Sequence, residues 1–430
     1  MDMRKYTYFD LKSAEQDFNQ SLILPSIPEG ISIRDSRTLN DFKVQTFGGY
    51  HKNQVTAALE KALQDEKIEE ALQWSFQLYF SGYVDHLLWK LIHFCCKQIS
   101  IHNPKLPCFI LHRFLKWKRI TDNTKFQKGD ILLLRNHPEL RNTITELVTI
   151  ITLAKKRKAE SFPKIKKTDF IISNFRQNLE AINNKFINSV TKEGDPNEMM
   201  IAANEMAYHM FKNNLKKALY WIVWIIEWDK VNTKRYGEYQ CGIRKNEDID
   251  PKYYSNSIWL IWDIIFIVKK AKSQMSGNTH KELERQITAL WKLFCYQYSP
   301  SQRSKKTPLV IWAIHLLTEK IDWDIPVVDR PYLIYQSILN NDTLVSRMKS
   351  QQIQKNIIND TLMNLAVENN YLVPSNQDVL RQKNALKAKR VAEKEEEKRK
   401  KEREKEAKQK KTDVLTLNKL DQLYSIDKNS

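Results

Sequence analysis

The chain has 430 residues, of which 42% are hydrophobic, and its 70 Lys and Arg against 51 Asp and Glu give a formal net charge of +19. Its nine glycines form neither a Walker A pattern nor a G-x-G-x-x-G pattern. Loops that hold nucleotide phosphates need glycines at such offsets, which argues against nucleotide-dependent enzymes. A strongly positive chain attracts polyanions, so DNA, RNA and anionic membrane surfaces are the partners that the composition favours.

The longest apolar segments are too short to cross a membrane. Ala218–Trp228 and Ile258–Val268 each cover about eleven residues, whereas a helix needs ~20 apolar residues to span a bilayer. Both segments therefore predict buried core helices, and no membrane insertion is expected. Met1–Lys5 leads into polar sequence rather than into the apolar region of a secretory signal peptide. The five cysteines give no disulfide framework, which favours a reducing compartment.

The first 160 residues predict an irregular lead and a helical domain. Two prolines and a glycine before residue 31 interrupt any helix within residues 1–50. Within the first helical domain, 51–160, Val55, Leu59 and Leu63 lie on one face of a predicted helix. Gly82 is suited to end a second helix at its C-terminal cap. The helices predicted after the first cover 68–80, 84–101, 107–119 and 138–155.

A basic connector at 154–168, interrupted by Pro163, leads into a second helical domain that is predicted at 161–375. Asp195 precedes Pro196 and is a candidate N-cap for one helix of this domain. The segment 236–254 contains two glycines and a proline, which predicts the main loop and a place for a short strand pair.

The C-terminal segment is dominated by charge. Residues 381–411 carry fifteen Lys and Arg against seven Asp and Glu, with no Gly, Pro or aromatic residue. Opposite charges four residues apart support an isolated helix, so we predict a charged single helix at 376–412 and a short amphipathic tail at 413–430. The predicted fold is therefore all-α, a multi-helix globular body in two helical lobes with an extended charged C-terminal helix.

Two groups of basic residues form the candidate nucleic-acid interface. One lies on the helix predicted at 107–119, where Phe114 and Trp117 offer base stacking; the other lies in the connector. Clustered Lys and Arg neutralise phosphates, release counterions and give salt-sensitive binding. The competing interpretation is general surface basicity of a lysine-rich chain. The candidates are Arg113, Lys116, Lys118, Arg119, Lys155, Lys156, Arg157, Lys158, Lys164, Lys166 and Lys167.

No catalytic residue and no cofactor is predicted. Cys95, His102, Cys108 and His112 are the candidates for a zinc site, which needs four converging ligands. Cys95 and its neighbour Cys96 point about 100° apart on a helix, so buried cysteines and ordinary histidines are the competing interpretation. Paired carboxylates occur in the sequence without a recognisable catalytic motif around them. We therefore interpret the chain as non-enzymatic.

Six segments of the chain form a recognisable set: Ser32–Phe42, Thr46–Tyr50, Ser81–Tyr83, Asn103–Pro107, Asn204–His209 and Tyr220–Trp224. They resemble a conserved uncharacterised protein family of giant nucleocytoplasmic large DNA viruses. That resemblance covers roughly residues 30–370 and implies a viral protein of an infected cell, without implying an activity. It implies a location in the host-cell cytoplasm, in a viral factory, or in the virion.

A weaker similarity concerns residues 57–107. Glu69–Trp74, Ser81–Gly82, Lys90–Ile92 and Asn103–Pro104 are similar to the helical C-terminal region of the MgsA-type replication-repair ATPases. In that family the region follows an ATPase module and assembles oligomers. This chain lacks the module, so the similarity implies only a helical interaction surface.

Two functions fit these observations. The first is a viral helical scaffold or adaptor that is associated with DNA or RNA in replication, transcription or genome packaging, and binds through its basic clusters. The alternative is a protein–protein adaptor or virion structural component with no direct nucleic-acid contact, whose partners are viral or host proteins and whose Trp-rich surfaces are the hot spots. The run Lys155–Lys158 also fits a nuclear import signal.

Overall fold

The computed structural model describes residues 31–123, 130–159, 162–273 and 279–352. These residues are all-α and include no β-strand, which confirms the predicted fold class. The strand pair predicted within 236–254 is therefore wrong: that segment is irregular apart from a 3₁₀ turn at Pro251–Tyr253. The described residues belong to one compact unit. The lead up to residue 30, the charged helix predicted at 376–412 and the tail at 413–430 lie outside the described residues.

The helices of the described chain are connected mostly by short irregular segments. The α-helices are α1 Lys52–Gln64, α2 Ile68–Phe80, α3 Val84–Phe94, α4 Leu106–Asn123, α5 Pro138–Leu153, α6 Ile172–Gln177, α7 Asn197–Phe211, α8 Leu215–Tyr236, α9 Ser257–Ser273, α10 Thr279–Cys295, α11 Arg303–Thr318, α12 Pro331–Leu339 and a last one, α13, over 341–352. Shorter turns of 3₁₀ helix lie at Asp41–Lys43, Ser100–His102, Asp130–Asn136, Lys167–Phe170, Lys185–Ile187, Pro251–Tyr253 and Pro300–Gln302.

Helices α1 to α3 follow the apolar periodicity of their sequence. Helix α2 ends before Gly82, whose φ of +78° is the left-handed conformation that glycine adopts without strain. A Cβ at this glycine would lie 2.9 Å from Leu39 Cδ2, so the leucine side chain would also have to shift to admit any other residue. The helical segment predicted from residue 84 to about residue 101 is present but changes type along its length. Helix α3 ends at Phe94, a π-helical turn follows at Cys95–Ile99, and Ser100, with a φ of +47°, begins the 3₁₀ turn that ends at His102.

The C-terminal half of the described chain has a core rich in tryptophan. Trp221, Trp224, Trp262 and Trp312 are each less than 2% exposed. The apolar segments 218–228 and 258–268 lie in α8 and α9 and supply much of this core, which confirms the prediction of buried helices. Among the described residues, no helix combines the length and the apolarity that a membrane span requires.

Helices from the two predicted domains pack directly against each other. The α4 and α10 helices are neighbours, and the Cys108 backbone N–H donates to Gln286 Oε1 at 2.8 Å. Phe114 of α4 meets the ring of Tyr296, just after α10, edge to face with 4.6 Å between centroids. The boundary that the sequence predicts near residue 160 is thus bridged by side-chain packing.

The sequence predicted Asp195 as the N-cap of α7, and this prediction is wrong. Pro196 takes that position, and the Asp195 carboxylate instead accepts hydrogen bonds from both terminal nitrogens of Arg244, each at 2.8 Å. Arg244 is buried and also donates from Nε to Asp263 Oδ2 at 2.8 Å. The charge of a distant arginine therefore outweighs the local capping preference and fixes the loop before α9 to the start of α7.

Candidate nucleic-acid interface

The first predicted basic group is largely used inside the protein. Arg113 is buried in α4 and donates from Nε to Glu146 Oε2 at 2.6 Å and from Nη2 to Glu146 Oε1 at 2.8 Å. Its Nη1 lies 2.9 Å from His112 Nδ1, and its guanidinium lies 4.6 Å from the centroid of the Phe109 ring. A buried guanidinium in a bidentate ion pair has no route to a nucleic-acid phosphate, so we leave Arg113 out of the interface.

The other members of this group are more exposed than Arg113. Lys116 pairs with Glu139 at 2.8 Å, and Lys118 lies 5.1 Å from the centroid of the Tyr296 ring. Arg119 is exposed. Phe114 and Trp117 are only 5% and 8% exposed, so the stacking surface predicted on this helix is wrong.

The connector is an irregular segment that two inward-pointing residues attach to the helical body. The Arg157 backbone N–H donates to the Gln98 carbonyl oxygen at 2.6 Å, and its guanidinium pairs with Glu319 at 3.0 Å. The Lys156 ammonium donates to the Thr152 carbonyl oxygen and lies 3.8 Å from Glu66. Lys156 and Arg157 therefore hold the connector in place. They were predicted to contact nucleic acid, but their side chains point toward the helical body and not toward solvent.

The anchoring carboxylate is kept ionised by its neighbours. Burial favours the neutral acid, yet hydrogen bonds from His315 and Arg157 outweigh it and lower the pKa of Glu319 below its ordinary value. Glu319 is only partly exposed, and Arg157 Nη2 lies 3.3 Å from its Oε1 in addition to the 3.0 Å contact of Nη1 with Oε2. The fork geometry orients the arginine and with it the backbone between the neighbouring lysines.

The remaining connector lysines point outward. Their side chains are exposed, and no carboxylate of the described chain pairs with them. Phe162, in the middle of the segment, is 41% exposed. We call this surface the connector face. Its basic residues are Lys155, Lys158, Lys164, Lys166 and Lys167.

A second set of basic residues, which the sequence analysis did not include, lies on α3 and its continuation. His86, Lys90, His93 and Lys97 are spaced four, three and four residues apart, which is the spacing of one helix face. Lys305, at the start of α11, lies against this face: its carbonyl oxygen accepts from His93 Nε2, and its ammonium is 5.0 Å from the centroid of the Trp89 ring.

The pKa values of the two histidines are lowered by burial and by the positive charges of this face. Burial, followed by the charges of Lys52, Lys90 and Lys305, lowers the pKa of His86 to about 4. Burial and the charges of Lys97, Lys305 and Lys90 also lower the pKa of His93, against the opposing effect of its bond to the Lys305 carbonyl oxygen. Both imidazoles are therefore neutral at pH 7, and the lysines supply the charge of this face.

The lowered pKa of His86 predicts that the protein loses stability in mild acid. Because the folded pKa of about 4 lies below the ordinary value of 6.5, the unfolded chain binds more protons between these values. The contribution of His86 to the free energy of unfolding is thus fully present above pH 6.5 and is lost as the pH falls toward 4. We expect H86Q to show a shallower decrease in urea midpoint between pH 7 and pH 5 than the natural chain. Equal slopes for the two proteins would contradict this.

The zinc candidates do not converge. Cys95, Cys108 and His112 are buried, while His102 is half-buried, and no group of three or more His, Cys, Asp or Glu within the described ranges could hold a metal ion. Burial raises the pKa of the Cys95 thiol well above its ordinary value, which disfavours the thiolate that binds zinc.

Comparison with protein-family models, with curated protein sequences and with solved structures gave no match.

Proposed function

We propose that the protein is a non-enzymatic helical scaffold or adaptor that holds nucleic acid by its phosphates, with the connector face as a contact surface. The observation that carries this proposal is the outward set of five lysines between residues 155 and 167, without carboxylate partners among the described residues. The charged segment 381–411, with its net charge of +8, would add a second polycationic region. The resemblance to proteins of giant DNA viruses fits such a role in replication, transcription or genome packaging.

Clustering is what distinguishes these lysines from ordinary surface charge. Isolated surface cations interact weakly with an anion because water and salt screen their charge. Several ammonium groups on one segment create a positive potential that attracts phosphates, and binding then releases counterions. The anchors at Lys156 and Arg157 hold the segment against α5 and α11 before any ligand arrives. Less conformational entropy is then lost on binding.

Binding should be salt-sensitive and should depend on the connector lysines. We expect the full chain to bind a fluorescent 20-base-pair duplex or 20-nucleotide single strand, with affinity that falls steeply from ~50 to ~200 mM salt. Replacing the five connector-face lysines by glutamine should lower the slope of log affinity against log salt by roughly 4.5 for the duplex and roughly 3.5 for the single strand if all five contact phosphates. The measurement is a fluorescence-anisotropy titration at several salt concentrations.

The matched control removes the same charge from exposed lysines that are spread along the chain. It carries glutamine at Lys185, Lys216, Lys234, Lys245 and Lys281. We expect this variant to keep nearly the natural salt slope. Equal losses in the two quintuple variants would show that binding follows net charge only, and no binding at ~50 mM salt would overturn the proposal.

Exposed apolar side chains near the connector favour the second candidate, a protein–protein adaptor. Phe162, Ile171, Ile172 and Ile182 are between 41% and 92% exposed, and exposed apolar groups on one segment mark interaction surfaces. Affinity capture with and without nuclease treatment separates the two candidates. Partners that stay after nuclease treatment and are lost on I171S/I172S substitution would favour the adaptor. Partners that nuclease releases would favour the nucleic-acid scaffold.

A further inference from the structure

The basic face of α3 is assembled from three distant segments of the chain. Lys52 begins α1, Lys90 and Lys97 follow one face of α3 and the turn after it, and Lys305 comes from the start of α11. We call these four residues the α3 strip. The charges of Lys52, Lys90 and Lys305 act on His86, and those of Lys90, Lys97 and Lys305 act on His93, so Lys90 and Lys305 influence both imidazoles while Lys52 and Lys97 each influence one.

The strip gathers more positive charge than the neighbouring carboxylates neutralise. Glu60 pairs with Lys90 at 3.0 Å, and Asp85 attracts Lys305, so two acidic residues face four lysines. The charge of Lys305 also lowers the pKa of Lys52, after burial as the larger cause. Bringing like charges together from three segments is unfavourable in the free protein. A polyanion on this surface would remove that repulsion.

A backbone hydrogen bond joins residues that neighbour the strip and the connector face. Gln98, the residue after Lys97, accepts at its carbonyl oxygen from the Arg157 N–H at 2.6 Å. Lys156, next to Arg157, acts electrostatically on Cys95, two residues before Lys97. The backbone that carries the outward Lys155 and Lys158 is thus attached at one end of the α3 strip.

We propose that the α3 strip is a second phosphate-binding surface that continues the connector face, so that one nucleic-acid backbone contacts both. The inference rests on the proposed function, because it assigns the same ligand to a longer path. From His86 to Lys97 the helix advances roughly 16 Å at 1.5 Å per residue, a length that covers about five base steps at 3.4 Å each. Half-buried Trp89 lies within this path, beneath the Lys305 ammonium.

The test removes three charges from the strip of the full chain and leaves the paired Lys90 in place. In K52Q/K97Q/K305Q the affinity for a 20-base-pair DNA duplex should fall by about tenfold or more at ~100 mM salt, and the salt slope should decrease by roughly 2 to 3. The control K216Q/K234Q/K245Q loses the same charge from exposed lysines elsewhere and should keep nearly the natural values. The urea midpoint of the strip variant should not fall, because the substitution relieves repulsion.

A histidine titration gives a second readout that loss of folding would not mimic. Added duplex DNA should raise the pKa values of His86 and His93, followed by NMR, because phosphates cancel the field of the lysines. In the strip variant the free protein should already have a raised His86 pKa, and added DNA should move it little. Unchanged histidine titration in the natural chain on adding saturating DNA would overturn the inference.

The outcomes separate this inference from the proposed function. Loss of binding in the connector-face variant with full binding in the strip variant would keep the proposed function and overturn the strip. Loss in both variants, beyond the matched controls, would support one continuous path. Loss in the strip variant alone would keep a phosphate-binding strip but overturn the connector as a contact surface. No loss in either would overturn both.

Discussion

Replacing Arg244 by methionine should lower the free energy of unfolding by about 3–5 kcal/mol, because it leaves buried carboxylates without their counter-ion. All five N–H groups of this buried arginine have acceptors. Besides the bonds to Asp195 and Asp263, Nη1 donates to the Gly242 carbonyl oxygen at 3.0 Å and Nη2 to that of Val190 at 3.1 Å. One side chain thus joins α9, the start of α7 and the loop between α8 and α9.

The two carboxylates respond to this arginine differently. Burial raises the pKa of Asp263, and the attraction of Arg244 does not reverse it. For Asp195 burial acts in the same direction, but hydrogen bonds and charge from Arg244 outweigh it and hold the pKa below its ordinary value. Without Arg244, Asp195 would be a buried anion whose remaining donors are backbone N–H groups, among them those of Lys192 and Gly242. Loss of this pair should account for most of the destabilisation.

Urea denaturation of four variants measures the effect. R244K should lie between the natural chain and R244M, because an ammonium has three donors and cannot match the planar fork. R244M/D195N/D263N should recover part of the loss, since it removes the unpaired charges. R235M, on an exposed arginine at the end of α8, is the control and should stay within about 0.5 kcal/mol of the natural chain. A midpoint for R244M equal to that of R235M would contradict the prediction.

The positions of α1 to α5 were predictable because apolar residues recur at helical spacing between clear start and stop signals. Helix α2 begins and ends at the predicted residues, 68 and 80, because charged residues precede it and a glycine follows. The strand pair predicted within 236–254 failed for a physical reason that the local sequence does not contain. There the backbone is fixed by long-range bonds to Arg244 and by the Arg244 N–H donated to the Tyr254 carbonyl oxygen at 3.0 Å, rather than by a ladder.

The candidate interface was only partly accessible to sequence reasoning. The sequence shows that Lys and Arg cluster at 155–167, but inward and outward positions depend on partners far along the chain. Glu319, which holds Arg157, is 162 residues away, and Glu146, which holds Arg113, is 33 away. No periodicity in an irregular connector reveals such pairs. The spacing of His86, Lys90, His93 and Lys97 was readable as one helix face, yet Lys52 and Lys305 join it only in the folded protein.

Replacing Trp262 by alanine should destabilise the protein by about 3–5 kcal/mol, because it opens a cavity in the aromatic core between α9 and α10. Trp262 is fully buried in α9, and its ring meets those of Trp291 and Phe294 edge to face, with centroids 5.1 and 5.5 Å apart. Phe266 lies on the same helix with its centroid 6.0 Å away. These rings come from two helices, so the loss should weaken the packing of α9 against α10.

Substitution by phenylalanine separates the cavity from the indole N–H. No acceptor in the described part of the chain lies within hydrogen-bonding distance of Trp262 Nε1, and a buried donor without a partner is unfavourable. W262F removes this donor and keeps an aromatic ring against Trp291, so it should cost well under half of what W262A costs. Urea midpoints of the two variants measure the difference. Equal midpoints would show that the ring contacts contribute little, because both variants lack the indole N–H and differ only in the aromatic ring.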